Sequence, residues 1–216
     1  MWIKFCGTTN IEDAQVAADT GASALGFIFA RSKRQVTPEQ AQQIARTLPP
    51  TVERIGVFVN ETVDEVARII GEVGLTGAQL HGEESADYIE LLHAKISPHT
   101  RIIKAMPYSP DMADRARYYG KILAVRAVLV DSASRGGTGV AFDWDHAKQD
   151  FESAAAHTRL VLAGGLDPEN VARAISVLRP WGVDVASGVE AAPGKKDHDK
   201  MRRLVAEVRK AESAKP

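Results

Sequence analysis

Short apolar runs alternate with helix-like segments from one end of the chain to the other. The runs begin roughly every 22 to 32 residues, which is the spacing of one βα unit each. Several, such as Val128–Val130 and Leu160–Ala163, are almost continuous in apolar residues, as strands buried on both faces of a parallel sheet are. The eight predicted strands are Trp2–Cys6, Ala24–Phe29, Arg54–Val59, Gly77–His81, Arg101–Ala105, Ala127–Asp131, Arg159–Ala163 and Val183–Ser187.

The segments between these runs have the periodicity and the boundary residues of helices. Thr37-Pro38 and Thr62 supply N-cap hydroxyls, and Asp167-Pro168 predicts a further helix start. The i, i+3, i+4, i+7 apolar stripe of an amphipathic helix occurs in Val63–Ile70, Val171–Leu178 and Met201–Val208. The predicted helix-ending residues are Gly21, Gly74, Gly120 and Pro180.

Eight βα units without a linker or a low-complexity stretch leave two architectures: a doubly wound open sheet and a closed barrel. Eight strands are the number that closes a barrel, and 216 residues lie within the size range of that fold. The sequence therefore predicts an α/β protein, a single-domain (β/α)8 TIM barrel over residues 1–216. A flavodoxin-like sheet with one extra unit is the alternative.

The composition disfavours several classes of protein. The chain has 27 Lys and Arg against 28 Asp and Glu, a net charge of −1, which disfavours binding to nucleic acid or to an anionic membrane surface. No apolar stretch approaches the roughly 18 residues of a spanning helix, and the first residues lack a signal-peptide pattern. We expect a cytoplasmic protein whose partner is a small molecule, with neither nucleic acid nor membrane as a partner.

A metal site is not expected. Cys6 is the single cysteine, so the chain can form neither an intrachain disulfide nor a multi-cysteine metal site. The six histidines include no i, i+4 pair and no grouping with the cysteine. Among them, only His81 lies at the end of a predicted strand.

Glycines follow the last two predicted strands. In a (β/α)8 barrel the active site lies at the carboxyl ends of the strands, and phosphate is usually held by the loops after strands 7 and 8. Gly164 and Gly165 follow strand 7, and Ser187 and Gly188 follow strand 8, which favours phosphate binding over simple tight turns. Gly136–Gly139 indicates a mobile loop over the site.

One cysteine and three charged residues are the other candidates. Cys6, at the end of strand 1, is either a buried hydrophobe or a base or nucleophile whose pKa is lowered from about 8.5 by its neighbours. Asp131, at the end of strand 6, is either a cap residue or a catalytic acid with a pKa raised by burial. Arg34 forms a cationic cluster with Arg31 and Lys33. This cluster is either a solvated face or a second anion site. Asp184 is expected to point into the barrel and to meet a substrate hydroxyl or a cationic side chain.

Eight motifs along the chain occur in a characteristic order. They are Lys4–Gly7, Gly26–Phe29 with Ser32–Arg34, Gly56–Asn60, Gln79–Gly82, Leu129–Ser132, Gly136–Gly139 with Phe142–Trp144, Leu162–Leu166 and Gly182–Glu190. Each is weak alone, but the ordered set resembles the phosphoribosylanthranilate isomerases of tryptophan biosynthesis. The resemblance runs from the first strand to the start of the eighth helix.

The resemblance implies an Amadori rearrangement of N-(5′-phosphoribosyl)anthranilate that needs no cofactor or metal. Asp131 would be the general acid that protonates the furanose ring oxygen, and Cys6 the general base that takes the C2′ proton. Arg34 would bind the anthranilate carboxylate. The phosphate would be bound by Gly164, Gly165, Ser187 and Gly188, with His81 and Asp184 as further substrate contacts. The oligomeric state, monomer or homodimer, stays open.

Two departures and two rival functions accompany the resemblance. Lys33 stands where we expect proline and Ala186 where we expect serine, which affects the anion ends but not the acid or the base. One rival is the histidine-pathway isomerase of an aminoimidazole ribotide, whose barrels carry aspartate instead of Cys6; activity on both substrates stays open. The other rival is a non-catalytic phosphate-binding barrel, which the presence of both Cys6 and Asp131 disfavours.

Overall fold

Eight parallel strands close into a barrel in the computed structural model, which describes residues 1–132 and 142–213. Each strand pairs with the next one along the chain, and the last strand pairs with the first. This closure confirms the predicted (β/α)8 barrel over the open flavodoxin-like sheet. The strands are β1 (Trp2–Cys6), β2 (Ala24–Ile28), β3 (Glu53–Phe58), β4 (Gly77–Leu80), β5 (Arg101–Pro107), β6 (Val125–Asp131), β7 (Leu160–Leu162) and β8 (Gly182–Val185).

A helix follows each strand and packs its apolar face against the outside of the barrel. In α3, for example, Val66 and Ile70 from the predicted stripe are buried. None of the helices in the described part of the chain is both long and apolar enough to cross a membrane. The helices are α1 (Ile11–Thr20), α2 (Pro38–Ala45), α3 (Val63–Val73), α4 (Ala86–Lys95), α5 (Met112–Gly120), α6 (Trp144–Ala155), α7 (Val171–Leu178) and α8 (His198–Ser213).

Two of the predicted helix boundaries are wrong. α7 begins at Val171 rather than at Asp167-Pro168, because the Asp167 carboxylate accepts two backbone N–H groups and closes a turn ahead of the helix. Gly120 is the last residue of α5 and does not take the left-handed conformation. Gly21 and Gly74 do end α1 and α3 in that conformation, with φ of 93° and 73°.

The inside of the barrel has an apolar and a polar part. Successive side chains of a strand point to opposite faces, so Phe5 packs against the helices while Trp2, Lys4 and Cys6 face the interior. The polar residues follow the apolar ones along the strands, toward the carboxyl ends. The apolar interior consists of Trp2, Ala24, Ile55, Ile103, Ala105, Ala127, Leu129, Val161 and Ala163.

The chain forms an unpredicted hairpin between β8 and α8. β8 ends at Val185, two residues before its predicted end, and a 3-10 turn over Ser187–Val189 follows. Two short antiparallel strands come next, β9 (Glu190–Ala192) and β10 (Lys195–Lys196). The hairpin lies close to the loop after β1, because Thr9 Oγ1 donates a hydrogen bond to the carbonyl oxygen of Gly194.

Replacing Thr62 by alanine tests the capping of α3. The Thr62 hydroxyl accepts a hydrogen bond from the Glu65 N–H, and losing such a cap costs about 1 kcal/mol of unfolding free energy. We therefore expect the urea midpoint to fall, as followed by circular dichroism. Thr51→Ala is the matched control, since Thr51 is exposed in a turn. Equal losses in the two variants would contradict the capping role.

Candidate active site

A cavity of about 540 Å³ opens at the carboxyl ends of the strands. Of the nine predicted site residues, eight lie on its wall and Gly188 does not. A Cβ atom at Gly188 would come within 1.9 Å of the Leu166 carbonyl oxygen, so this glycine lets the loops after β7 and β8 approach each other. The predicted mobile loop, Gly136–Gly139, lies outside the described residues. The eight are Cys6, Arg34, His81, Asp131, Gly164, Gly165, Asp184 and Ser187.

Lys4 and Cys6 lie side by side inside the barrel, two residues apart on β1. Lys4 is fully buried, and its Nζ donates to Asp184 Oδ1 on β8 at 2.9 Å. A Cβ atom at Gly26 of β2 would lie 2.9 Å from Cys6 Sγ and 3.1 Å from Lys4 Nζ. Gly26 thus provides the space that both side chains occupy. The predicted cationic partner of Asp184 is Lys4.

The pKa of the Cys6 thiol results from opposed effects. Burial raises it, because a thiolate is poorly solvated inside the barrel, whereas the Lys4 ammonium lowers it. The Asp184 carboxylate raises it further, and Lys196 lowers it. The net pKa is above the ordinary value. Burial alone would lower the pKa of Lys4, but Asp184 and Cys6 raise it, so Lys4 stays charged and favours the thiolate.

Asp131 lies at the end of β6 beside His81 from the end of β4. His81 Nε2 is 3.8 Å from Asp131 Oδ2, and His81 Nδ1 is 2.9 Å from Gln79 Nε2. Because the Gln79 amide nitrogen donates, Nδ1 accepts and the ring carries its proton on Nε2, toward Asp131. Burial lowers the pKa of His81, with Asp131 opposing, which keeps the ring neutral near pH 7.

Gly164 provides the space for the carboxyl group of Asp131. Its φ is 85°, and a Cβ atom there would lie 2.6 Å from Asp131 Oδ1 and 2.1 Å from Ser132 Oγ. A side chain at this position would collide with the candidate acid. This glycine, predicted as a phosphate ligand, therefore also has a steric role, and its contact with phosphate stays a prediction.

Arg34 reaches the cavity from the loop after β2. Its stem crosses Gly7, where a Cβ atom would lie 2.6 Å from Arg34 Cδ. Its Nε and Nη2 donate to the two carboxylate oxygens of Glu190, each at 2.7 Å. At 14% exposure the Arg34 side chain is not part of a solvated face, and its role as an anion site stays a prediction.

Sequence reasoning missed three charged residues around the site: Lys4, Glu190 and Lys196. The signal for Lys4 was present, since a residue two positions before Cys6 on the same strand shares its face. Glu190 contacts a residue 156 positions away, so no local pattern indicates its role. In residues 1–132 and 142–213, no group of three His, Cys, Asp or Glu side chains is placed to hold a metal ion.

Alkylation of the single cysteine measures the effect of Lys4. We expect Lys4→Met to move the pH midpoint of iodoacetamide labelling upward, because the thiolate loses its nearest cation while Asp184 remains. Intact mass follows the reaction, since Cys6 is the chain's one thiol. Lys4→Met with Asp184→Asn should shift less, and Lys95→Met, at an exposed lysine, should not shift. A midpoint unchanged in the Lys4 variant would show that Lys4 does not act on the thiol.

Comparison with known proteins agrees with this geometry. Residues 3–207 match the family model N-(5'phosphoribosyl)anthranilate (PRA) isomerase. The N-(5'-phosphoribosyl)anthranilate isomerase of Citrifermentans bemidjiense is 46% identical over 212 residues, covering 96% of this chain and 97% of that protein. The structure of phosphoribosyl anthranilate isomerase from Thermotoga maritima is similar with a TM-score of 0.85 at 41% identity, covering 97% and 99% of the two chains. Another isomerase, solved in complex with reduced 1-(o-carboxyphenylamino)-1-deoxyribulose 5-phosphate, has a TM-score of 0.82 at 40% identity and covers 97% and 99%. The chain therefore belongs to the N-(5'-phosphoribosyl)anthranilate isomerase family.

Proposed function

We propose that this chain converts N-(5′-phosphoribosyl)anthranilate into 1-(2-carboxyphenylamino)-1-deoxyribulose 5-phosphate, a step of tryptophan biosynthesis. Family membership supports the reaction. The observation that carries it is that one cavity contains a thiol and a carboxyl group from strands on different sides of the barrel. The same cavity contains an arginine and the glycines of the loop after β7.

In the proposed reaction, Asp131 begins the rearrangement as a general acid. It gives its proton to the furanose ring oxygen, the bond between C1′ and that oxygen breaks, and the nitrogen lone pair forms a protonated C1′=N Schiff base. The Nε2–H group of His81, which points toward Asp131 Oδ2, favours the carboxylate that remains. Gln79 supports this arrangement because it fixes the tautomer of His81.

Cys6 completes the proton transfers as a general base. Its thiolate takes the C2′ proton, and the freed electron pair forms a C1′=C2′ enolamine while the C=N electrons return to nitrogen. The enolamine then becomes the 2′-ketone by moving a proton from oxygen to C1′. The cationic Schiff base makes the C2′ proton acidic, so a thiolate favoured by Lys4 is a sufficient base even though burial raises its pKa.

The two ends of the substrate match two parts of the cavity. One relative was solved with a ligand that has a carboxyphenyl group at one end and a phosphate at the other. In this chain we assign the carboxylate to Arg34 and the phosphate to Gly164, Gly165, Ser187 and Gly188. Positive φ values of 85° and 67° at Gly164 and Gly165 support this, since such backbone turns N–H groups toward a bound anion.

The proposal includes a cytoplasmic location and a monomer or a homodimer. A structure of the Thermotoga maritima relative is described as mutually generated monomers of a dimeric enzyme. That relative is therefore a dimer from which monomers have been generated. Sedimentation velocity at micromolar concentration distinguishes them for this chain.

Substitution of the acid and the base tests their roles. We expect Cys6→Ala and Asp131→Asn each to reduce kcat by about 10²–10⁴-fold, the usual contribution of one positioned proton transfer. The loss of substrate fluorescence measures turnover, and binding of inorganic phosphate, measured by calorimetry, should persist. Asp145→Asn, at an exposed aspartate of α6, is the control. Near-normal turnover in Cys6→Ala would contradict the assignment of Cys6 as the base. If the wild-type protein turned over the histidine-pathway aminoimidazole ribotide as fast as N-(5′-phosphoribosyl)anthranilate, the proposed substrate preference would be wrong.

Substitution of Arg34 tests the carboxylate end. We expect Arg34→Ala mainly to raise KM, by about 10–100-fold, because a charge-assisted pair to the anthranilate carboxylate is lost. Steady-state kinetics with N-(5′-phosphoribosyl)anthranilate give KM and kcat separately. An unchanged KM would place the carboxylate elsewhere in the cavity.

A further inference from the structure

The hairpin of β9 and β10 contacts the strand that carries the proposed base. At one end, Lys196 Nζ donates to the carbonyl oxygen of Cys6 at 2.6 Å and to that of Ala186 at 3.1 Å. The Lys196 backbone N–H donates to Asp13 Oδ2 at 2.8 Å. The hairpin is thus fixed to β1, to the end of β8 and to α1.

The same end of the hairpin holds Arg34, because Glu190 lies opposite Lys196 in the pairing of β9 with β10. The bidentate pair between Arg34 and Glu190 joins two planar groups through two charge-assisted bonds, which defines the orientation of both. Glu190 is 5% exposed and does not line the cavity, whereas Arg34 does. Glu190 therefore supports Arg34 from outside the cavity wall.

This pairing leaves one edge of the guanidinium for a ligand. Glu190 takes the Nε–H and one N–H of Nη2, and Nη1 donates to no residue in the described part of the chain. The Nη1 and Nη2 edge can form two parallel hydrogen bonds to a second carboxylate. Because Glu190 prevents rotation of the planar group, that edge keeps one direction.

Lys196 compensates the negative charge that Glu190 brings next to Arg34. A carboxylate paired with Arg34 would cancel its charge and weaken its attraction for an anion. Lys196 Nζ lies 3.2 Å from Glu190 Oε1, and its side chain is 1% exposed. Lys196 Nζ has three oxygen acceptors, the number that an ammonium group can satisfy, and with this ammonium Arg34, Glu190 and Lys196 together carry one net positive charge. Burial lowers the pKa of Lys196, and Glu190 opposes that shift.

We propose that Glu190 is a positioning residue for the carboxylate end of the substrate, fixing the free edge of Arg34 toward it, while Lys196 keeps this corner cationic. The inference rests on the proposed function, which assigns the anthranilate carboxylate to Arg34. It differs from a competing role in which Glu190 occupies Arg34 until the substrate displaces it.

Two inhibitors isolate the carboxylate interaction. One is reduced 1-(o-carboxyphenylamino)-1-deoxyribulose 5-phosphate, and the other is the same molecule with an unsubstituted phenyl ring. The ratio of their inhibition constants reports only the carboxylate. We expect Glu190→Gln to reduce the preference for the carboxylate about tenfold, the size of one weakened charge-assisted hydrogen bond, with binding of the phenyl compound unchanged.

Whether the preference for the carboxylate falls or rises in Glu190→Gln distinguishes a positioning role of Glu190 from a purely electrostatic one. Glu190→Gln adds one positive charge to the corner, so a purely electrostatic role, or competition for Arg34, would increase the preference for the carboxylate. An unchanged or increased preference would therefore overturn the proposal. Lys196→Met should also reduce the preference, and Lys196→Arg should retain it; an unchanged ratio in Lys196→Met would remove Lys196 from the proposal.

A double-mutant cycle tests whether Glu190 acts through Arg34. In an Arg34→Ala background, Glu190→Gln should have no further effect on the ratio, and a persisting effect would contradict the mechanism. Glu84→Gln, at a buried carboxylate paired with Lys104 at 3.0 Å, is the matched control and should leave the ratio unchanged.

Wild-type protein that fails to turn over N-(5′-phosphoribosyl)anthranilate would overturn the proposed function. Normal wild-type turnover with an unchanged ratio in Glu190→Gln would overturn only this inference.

Discussion

The pairing of β1 with β8 determines most of what this chain can do. It joins the first strand to the last and places Lys4 directly opposite Asp184 in the ladder. Two opposite charges that are costly to bury separately therefore meet at 2.9 Å inside the barrel. Removing one partner of such a pair typically costs about 3–5 kcal/mol, so the pair penalises any other register of these strands. The same ammonium lies beside the thiol of Cys6 and links barrel closure to the chemistry of the proposed base.

The fold was predictable because each strand gives its own local signal. Continuous apolar runs such as Val128–Val130 indicate a doubly buried strand without knowledge of its neighbours. The boundaries were less certain where a side chain competed with the helix, as Asp167 does ahead of α7. The hairpin after β8 escaped prediction because its strands are two and three residues long and carry no alternating pattern.

The candidate site was predictable in position but only partly in its interactions. The rule that barrel sites lie at the carboxyl ends of strands brought Cys6, His81 and Asp131 to one cavity. It did not indicate which groups set their charge or orientation. The pair of Arg34 with Glu190 spans 156 positions, and only a folded chain brings such residues together. Family resemblance supplied the roles of the acid and the base, which the residues alone left open.

Barrel closure also has a consequence for protein synthesis. A ribosome adds β8 and the hairpin after the other seven strands, so a nascent chain that has not yet reached β8 lacks Asp184, and one that has not yet reached β10 lacks Lys196. Until β8 is added, β1 is an edge strand that pairs only with β2, and its cysteine lacks the cover that β8 provides. Incomplete chains therefore have an exposed thiol and no assembled pocket.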